Sequence, residues 1–340
     1  MAGLLFIALV ALVSALGPFI RPDSTPDAND QSLALSRLKP GSGVTEIRIK
    51  NNTPEVGIWS EWVEGGKAKN HLAITVDSIS CSADSITYWT REQLPTNGTT
   101  VASTELFKQP DGSYLFTRTF YLGTDKYGRD LLSRLMAGAL ISLAVGSIAV
   151  IISLLVGLTL GLLAGYYRGW VDQLIMWFTN VIWAVPTLIL VMAITFAFGT
   201  GFWKVFLAVG LTMWVEVARI ARGQVLSIRE KEYIEAARAL GFSEMRIIFK
   251  HVLPNILSPI IVISAANFAS AILIEAGLSF LGLGAQIPTP SWGNMIREHY
   301  AYITTDLAYL AIVPGFMIML LVLAFMMVGN GLRDALDVRE

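Results

Sequence analysis

Residues able to do covalent or metal chemistry are few in this chain and poorly spaced for it. His71, His251 and His299 are far apart, with no i, i+4 pair to grip zinc from one helix face. Cys81 is the sole cysteine, so a disulfide within the chain and a multi-cysteine metal site are both excluded. It reads as a small buried side chain. Gly65-Gly66-Lys67 lacks the earlier glycine of a phosphate-cradling Gly-x-x-x-x-Gly-Lys-Ser/Thr loop, which places any nucleotide chemistry on another polypeptide. Gly277-Leu278-Ser279 raises the idea of an intramembrane serine protease, but Phe280 follows and no histidine falls in a neighbouring apolar stretch. No catalytic residue, metal ligand or cofactor is therefore assigned. Glu275 is the one charge between residues 255 and 283. An acid in such a stretch is a functional candidate by default; it lines a pathway or gate, or it pairs with a neighbouring helix.

The other patterned segment is polar. Between residues 223 and 254 the spacing predicts two short helices. In the first, Tyr233, Ala236, Ala237 and Leu240 recur at i, i+3, i+4 and i+7, while Glu230, Lys231, Glu235 and Arg238 take much of the remaining surface. Gly241 follows where a left-handed C-cap is wanted. Ser243 is placed to N-cap the second helix, with Glu244 favoured in its first turn. That helix is expected to stop at Leu253-Pro254. The product is a rigid knob whose small Ala236-Ala237 pair admits another surface closely; the competing reading is an amphipathic helix lying on lipid.

What positions this knob is membrane. The chain is 54% hydrophobic and 15% charged, with a mean hydropathy of +0.58, against about a quarter charged residues in soluble domains. A net charge of -1 excludes nucleic acid as a partner. Uncharged or nearly uncharged stretches at 1–20, 135–167, 173–203, about Gly201 to Arg222, 255–283 and 307–329 give six transmembrane helices. Lys204 and Glu216 lie near the ends of the fourth. Pro186 and Pro314-Gly315 interrupt spans and are candidate kinks. Gly157, Gly161 and Gly165 recur every four residues and admit close packing, within the chain or against a second subunit. No basic residue precedes Arg21, unusual both for a signal peptide and for an inner anchor; the expectation is that Met1 is an internal methionine of a longer product.

Residues 21–134 are ordinary in composition. Alternation in Glu46–Lys50 and Leu72–Val76 predicts strands, and Pro110-Asp111-Gly112 predicts a hairpin turn. The fold class is thus an all-α polytopic membrane protein, six transmembrane helices with a small, mainly β extracytoplasmic domain inserted between helices 1 and 2. Its parts are a first helix at 1–20, the domain at 21–134, and a five-helix core at 135–340. Orientation follows from the short loops. With the N-terminus inside, the inner segments hold Arg168, Arg219, Arg222, Arg229, Lys231, Arg238, Arg246, Lys250, Arg333 and Arg339, against only Lys204 and Arg297 outside. Positive-inside bias then puts both termini in the cytoplasm.

Glu235-Ala236-Ala237-x-x-x-Gly241, with Leu253-Pro254 beyond it, resembles the EAA loop of bacterial ABC importer permeases. Those usually carry Ile two residues before the Leu, where this chain has His251. Lys250-His251-Val252-Leu253-Pro254-Asn255 resembles the dipeptide/oligopeptide/nickel branch. So do Gly123-Thr124-Asp125-x-x-Gly128-Arg129-Asp130, Leu278–Gly284, Pro290-Ser291-Trp292-Gly293 and Gly331-Leu332-Arg333-Asp334-x-Leu336-Asp337. The resemblance covers about 120–340 and the first helix; residues 21–119 match nothing in it.

The resemblance implies an inner-membrane permease subunit paired with a second permease in a heterodimer, served by an extracytoplasmic solute-binding protein. Two ATP-binding cassette ATPase subunits each receive one EAA loop. Tyr233, Glu235, Ala236, Ala237, Gly241, Leu253 and Pro254 are the coupling residues it implies, and peptides are the favoured cargo, with nickel or another small solute as the alternative. A secondary carrier would need no such knob and would be expected to show inverted repeats.

Overall fold

The structure is a computed structural model that describes residues 1–53, 57–82, 84–90, 98–199, 202–286 and 288–336. Gly201, Asp337 and Arg339, used above, lie outside the described residues.

The apolar first helix, α1 (Ala2–Ile20), ends where Arg21 turns into extended backbone. A linker with two 3-10 turns leads to two three-stranded antiparallel sheets. Their strands are β1 (Ser42–Lys50), β2 (His71–Thr75), β3 (Ser78–Cys81), β4 (Ser85–Trp89), β5 (Thr99–Ala102) and β6 (Phe116–Phe120), in the orders β2-β1-β6 and β3-β4-β5. A short helix, α2 (Ile58–Val63), precedes β2. Ile47, Val76, Ile86, Tyr88 and Leu106 form the core that joins the two sheets. The Pro110–Gly112 turn forms, with Gly112 at φ +90°, but it does not close the expected hairpin. Leu106 bridges Ile49 and Phe116 pairs with Glu46, so the runs before and after the turn lie end to end along one flank of β1. Cys81 is exposed rather than buried, at the end of the edge strand β3 beyond the reach of that core.

The remaining helices are α3 (Leu131–Tyr167), α4 (Gly169–Trp183), α5 (Thr187–Phe198), α6 (Phe202–Arg229), α7 (Glu232–Ala239), α8 (Glu244–Ile247), α9 (Leu253–Phe280), α10 (Trp292–His299) and α11 (Tyr309–Leu336). α3, about 55 Å long at 1.5 Å per residue, links the sheet end of the molecule to the end that carries α7 and α8. The stretch expected as one span at 173–203 is instead two helices, α4 and α5, bent by 93°. Pro186 stands at their junction, where it supplies no N–H to continue α4 and sets the start of α5. Pro314 behaves differently: α11 runs through it unbroken.

Among the described residues, four helical stretches are long and apolar enough to cross a membrane: α1, α3, 244–280 and α11, or five if the bent α4–α5 pair counts as one. α6 is the helix expected as a further span that falls short on composition.

Candidate coupling site

The knob is built by a helix that ends sharply. Beyond Leu240, Gly241 adopts φ +74°, and the Phe242 N–H donates to the Ala237 carbonyl while the Gly241 N–H donates to Arg238 (3.1 and 2.9 Å). These two bonds are a Schellman stop. The chain reverses, and Ser243 occupies the N-cap of α8 without a side-chain cap bond.

α7 has two faces. Ile234 and Ala237 are buried, whereas Tyr233, Glu235, Ala236, Leu240 and Gly241 are exposed. Ala237, grouped by periodicity with Tyr233 and Ala236, therefore belongs to the inner face. Ile234, which the spacing did not single out, is its fully buried anchor. Ile234 and Ala237 join Ile247, Ile248 and Val252 in one cluster with Leu162 and Tyr166 of α3, Val217 to Ile228 of α6, and Ile256 and Ile260 of α9. The knob is thus cemented to three long helices and presents its other face outward.

The second knob helix does not stop at Leu253-Pro254. It continues through a π turn, Ile248–Val252, into α9. Pro254 has no N–H to offer the Lys250 carbonyl, and the wider turn absorbs the mismatch. Leu253 is half-buried against the cluster and Pro254 is exposed.

Gly157, Gly161 and Gly165 all face α6. A Cβ on Gly157 would lie 2.5 Å from the Trp214 carbonyl, one on Gly161 2.6 Å from that of Ala218, and one on Gly165 2.7 Å from Val225. The three glycines thus let α3 and α6 pack backbone to backbone along one shared seam. Glu275 is fully buried on α9. Ser279 Oγ donates to its Oε1 at 2.6 Å, and Ser291 Oγ, ahead of α10, lies 3.2 Å from Ser279 Oγ.

The family of binding-protein-dependent transport system inner membrane components matches residues 157–339, which include the knob. The chain belongs to this family. A dipeptide transport system permease protein of Alkalihalophilus pseudofirmus is 45% identical over 217 residues, covering 64% of this chain and 71% of that protein. A glutathione transport system permease protein of Pectobacterium atrosepticum is 37% identical over 292 residues, covering 86% and 93%. Among solved structures, the MetNI methionine ABC transporter in inward-facing form has a TM-score of 0.51 at 20% identity, over 59% of this chain and 95% of that one. At that identity the likeness speaks for the fold of the helical core alone. The chain is a multi-pass membrane permease subunit of an ABC importer and not itself an enzyme. Its family works with a binding protein and an ATPase.

At the sheet end this permease has a polar centre whose contacts the sequence did not reveal. Asp125 Oδ1 accepts from the N–H groups of Tyr127 and Arg129 (2.8 and 3.0 Å) and Oδ2 from Arg129 Nε (2.6 Å). The same guanidinium donates to Glu298 Oε2 on α10 at 2.6 Å. Asp130 N-caps α3 through Ser133 N–H (2.9 Å), and the Asp23 N–H donates to Ser133 Oγ (2.9 Å). The segment 123–134 therefore staples the linker, α3 and α10 together. Asp125, Glu298 and His299 offer ligand atoms within 4.8 Å of one another, the one such group among the described residues. Arg129 pairs with both carboxylates there, so a guanidinium already holds the place a cation would take.

Proposed function

We propose that the outward face of the knob, Tyr233, Glu235, Ala236, Leu240 and Gly241, seats one of two ATPase subunits, and that the chain imports short peptides delivered by an extracytoplasmic binding protein. The observation that carries this reading is the two-faced α7: one face free, the other locked into α3, α6 and α9. Movement of a seated partner then reaches the membrane helices without a flexible joint between. ATP-driven closure biases a two-state pathway in this way. Both named relatives serve small peptidic cargo, a dipeptide and glutathione, and this supports a peptide cargo here. A second, non-identical permease completes the pathway.

Six crossings are proposed, with α4–α5 as one bent span and α6 as another. Two of the charges that make α6 less apolar find partners on α4: Arg222 donates twice to Asp172 (2.5 and 2.6 Å), and Arg219 donates to Asn180 (2.5 Å) and stacks on Trp183. Pairing of this kind reduces the cost of charge near lipid. The basic bias of the knob end supports a cytoplasmic knob, cytoplasmic termini and an extracytoplasmic sheet domain between the first two spans. Glu275 acts as a clasp through Ser279: it accepts from the Ser279 hydroxyl, which in turn meets the Ser291 hydroxyl ahead of α10.

The test is Glu235→Lys in the purified complex with its ATPases and binding protein. Basal ATP hydrolysis should persist while uptake of short peptides into vesicles falls at least about tenfold, roughly the loss of one charge-assisted contact. Unchanged uptake would remove the docking assignment. Uptake of nickel in place of peptide would overturn the cargo.

A further inference from the structure

The helix α2 (Ile58–Val63) belongs to neither sheet and turns its apolar side outward. At about 100° per residue, Ile58, Trp62, Trp59 and Val63 fall within an arc of roughly 140°, with Ser60 and Glu61 opposite. Ile58 is 74% exposed, Trp59 81% and Val63 74%. Glu61 is buried and paired with Lys67 at 3.5 Å. A six-residue helix that buries its acid and exposes its aliphatic and aromatic groups is poorly suited to water on that side.

Its position relative to α1 is fixed by independent ties. The Trp62 Nε1–H donates to the Ala15 carbonyl at 3.0 Å, five residues before α1 ends. Arg21 Nη2, at the C-cap of α1, donates to the Gly65 carbonyl just beyond α2, and the Lys67 N–H donates to the Ser24 carbonyl at 2.8 Å. Gly66 packs so closely on Ser24 and Arg21 that no Cβ fits there. α2 is therefore clamped level with the last turns of α1, about 7.5 Å inside its end at 1.5 Å per residue. Around that level α1 itself exposes Leu12, Leu16, Phe19 and Ile20, so the apolar face of α2 continues the lipid-facing surface of a spanning helix.

The geometry points to α2 as an interfacial membrane anchor: Ile58, Trp59 and Val63 enter the boundary between headgroups and acyl chains in the leaflet at the sheet end. Interfacial helices bury their apolar face about 5–10 Å deep, which matches the level set by Ala15, and tryptophan is favoured at that boundary. The partner is lipid. The anchor pins the sheets against the bilayer beside the first span instead of leaving them on a free tether. The inference rests on α1 crossing the membrane and is independent of the knob assignment.

Nitroxide labels in the complex reconstituted in lipid nanodiscs test it. In a Cys81→Ser background, Trp59→Cys and Ile58→Cys carry the label and Leu12→Cys serves as the lipid reference; the unsubstituted chain, labelled at native Cys81, exposed on β3, serves separately as the water reference. Both residues in α2 are exposed, so neither substitution opens the core. The expected oxygen-to-nickel-chelate collision ratio at 58 and 59 approaches that at Leu12 and lies well above that at Cys81. Ratios like that at Cys81 overturn the anchor while leaving α1 in the membrane. Shielding from both reagents overturns it in favour of a protein partner, and a Leu12 label that reads as water removes the membrane level on which it depends.

Discussion

At the scale of single residues, Gly241 has the sharpest requirement. Its φ of +74° lies in the left-handed region while nothing stands within 4 Å of where a Cβ would be. The constraint is therefore conformational and not steric, and an L-residue there costs about 1 kcal/mol. Asparagine tolerates this conformation better than alanine, and valine worst. ATP-driven uptake in proteoliposomes should accordingly fall in the order glycine, asparagine, alanine, valine; equal rates across the series would show that the Schellman stop is not needed for coupling. His299 sets a second constraint. Its Nδ1–H donates to the Met295 carbonyl, and burial, partly opposed by that bond and by Asp125 and Glu298, holds its pKa below the ordinary 6.5. Above pH 6.5 neither folded nor unfolded chain is protonated there, so the group adds no pH dependence. As pH falls below 6.5 the unfolded chain takes up a proton that the folded one resists, and stability is lost until the folded pKa is passed. Thermal melts of the detergent-solubilised protein between pH 7 and 5 should therefore drop more steeply for wild type than for His299→Gln; parallel slopes would mean that the ring takes up its proton equally in the folded and unfolded chains.

At the scale of elements, the knob works only as well as it is fastened. Ile234 is fully buried among α3, α6 and α9 residues, and Ile234→Ala should cost about 2–5 kcal/mol for the lost burial and the cavity left behind. Because the exposed face of α7 is untouched, the proposed ATPase seat is kept. The expected outcome is ATP hydrolysis that continues with reduced peptide uptake, together with faster amide exchange over 232–247. Exchange and uptake both at wild-type levels would show that the anchor is not what transmits movement. The knob itself was legible in the sequence because Gly241 and the helix periodicity are local signals. Its rotational phase was not, since Ala236, Ala237 and Ala239 are nearly equivalent in hydrophobic weight, and only the neighbouring helices decide which face Ile234 turns inward. Pro254 read as a stop because a proline usually ends a helix, whereas a single π turn accommodates it here. The sheet pairings were hidden for a related reason: β1 pairs with β6 across some seventy residues of chain, which strand propensity cannot see.

For the whole molecule, the question is how far the sheet domain is separable from the permease beneath it. Ser42 pairs with Phe120 across the base of the domain, and the Gly41 N–H donates to the Phe120 carbonyl at 2.9 Å. The chain thus leaves and returns at one point, roughly 5 Å apart in an antiparallel pair. Below that point the Asp125–Arg129–Glu298 centre and the Ser133–Asp23 bond hold the linker to α3 and α10 without help from the sheets. Replacing residues 43–119 with a two-residue Asn-Gly turn should therefore leave the helical core inserted and paired with its partners. We propose in addition that the sheets, placed on the extracytoplasmic side, contact the solute-binding protein, and this makes the complementary demand: the truncated complex in nanodiscs should bind the solute-binding protein at least about tenfold more weakly, the loss expected when about 1–2 kcal/mol of interface is removed. Basal ATP hydrolysis, which depends on the opposite end, should be unchanged. Undiminished affinity would separate the sheets from recognition. A core that fails to assemble would show instead that the staple at Arg129 cannot hold the linker alone. The two outcomes are told apart by comparison with Arg129→Leu, which breaks the staple, takes from the largely buried Glu298 side chain its guanidinium partner at a cost of about 3–5 kcal/mol while Asp125 keeps Arg134 at 4.0 Å, and keeps every sheet residue in place.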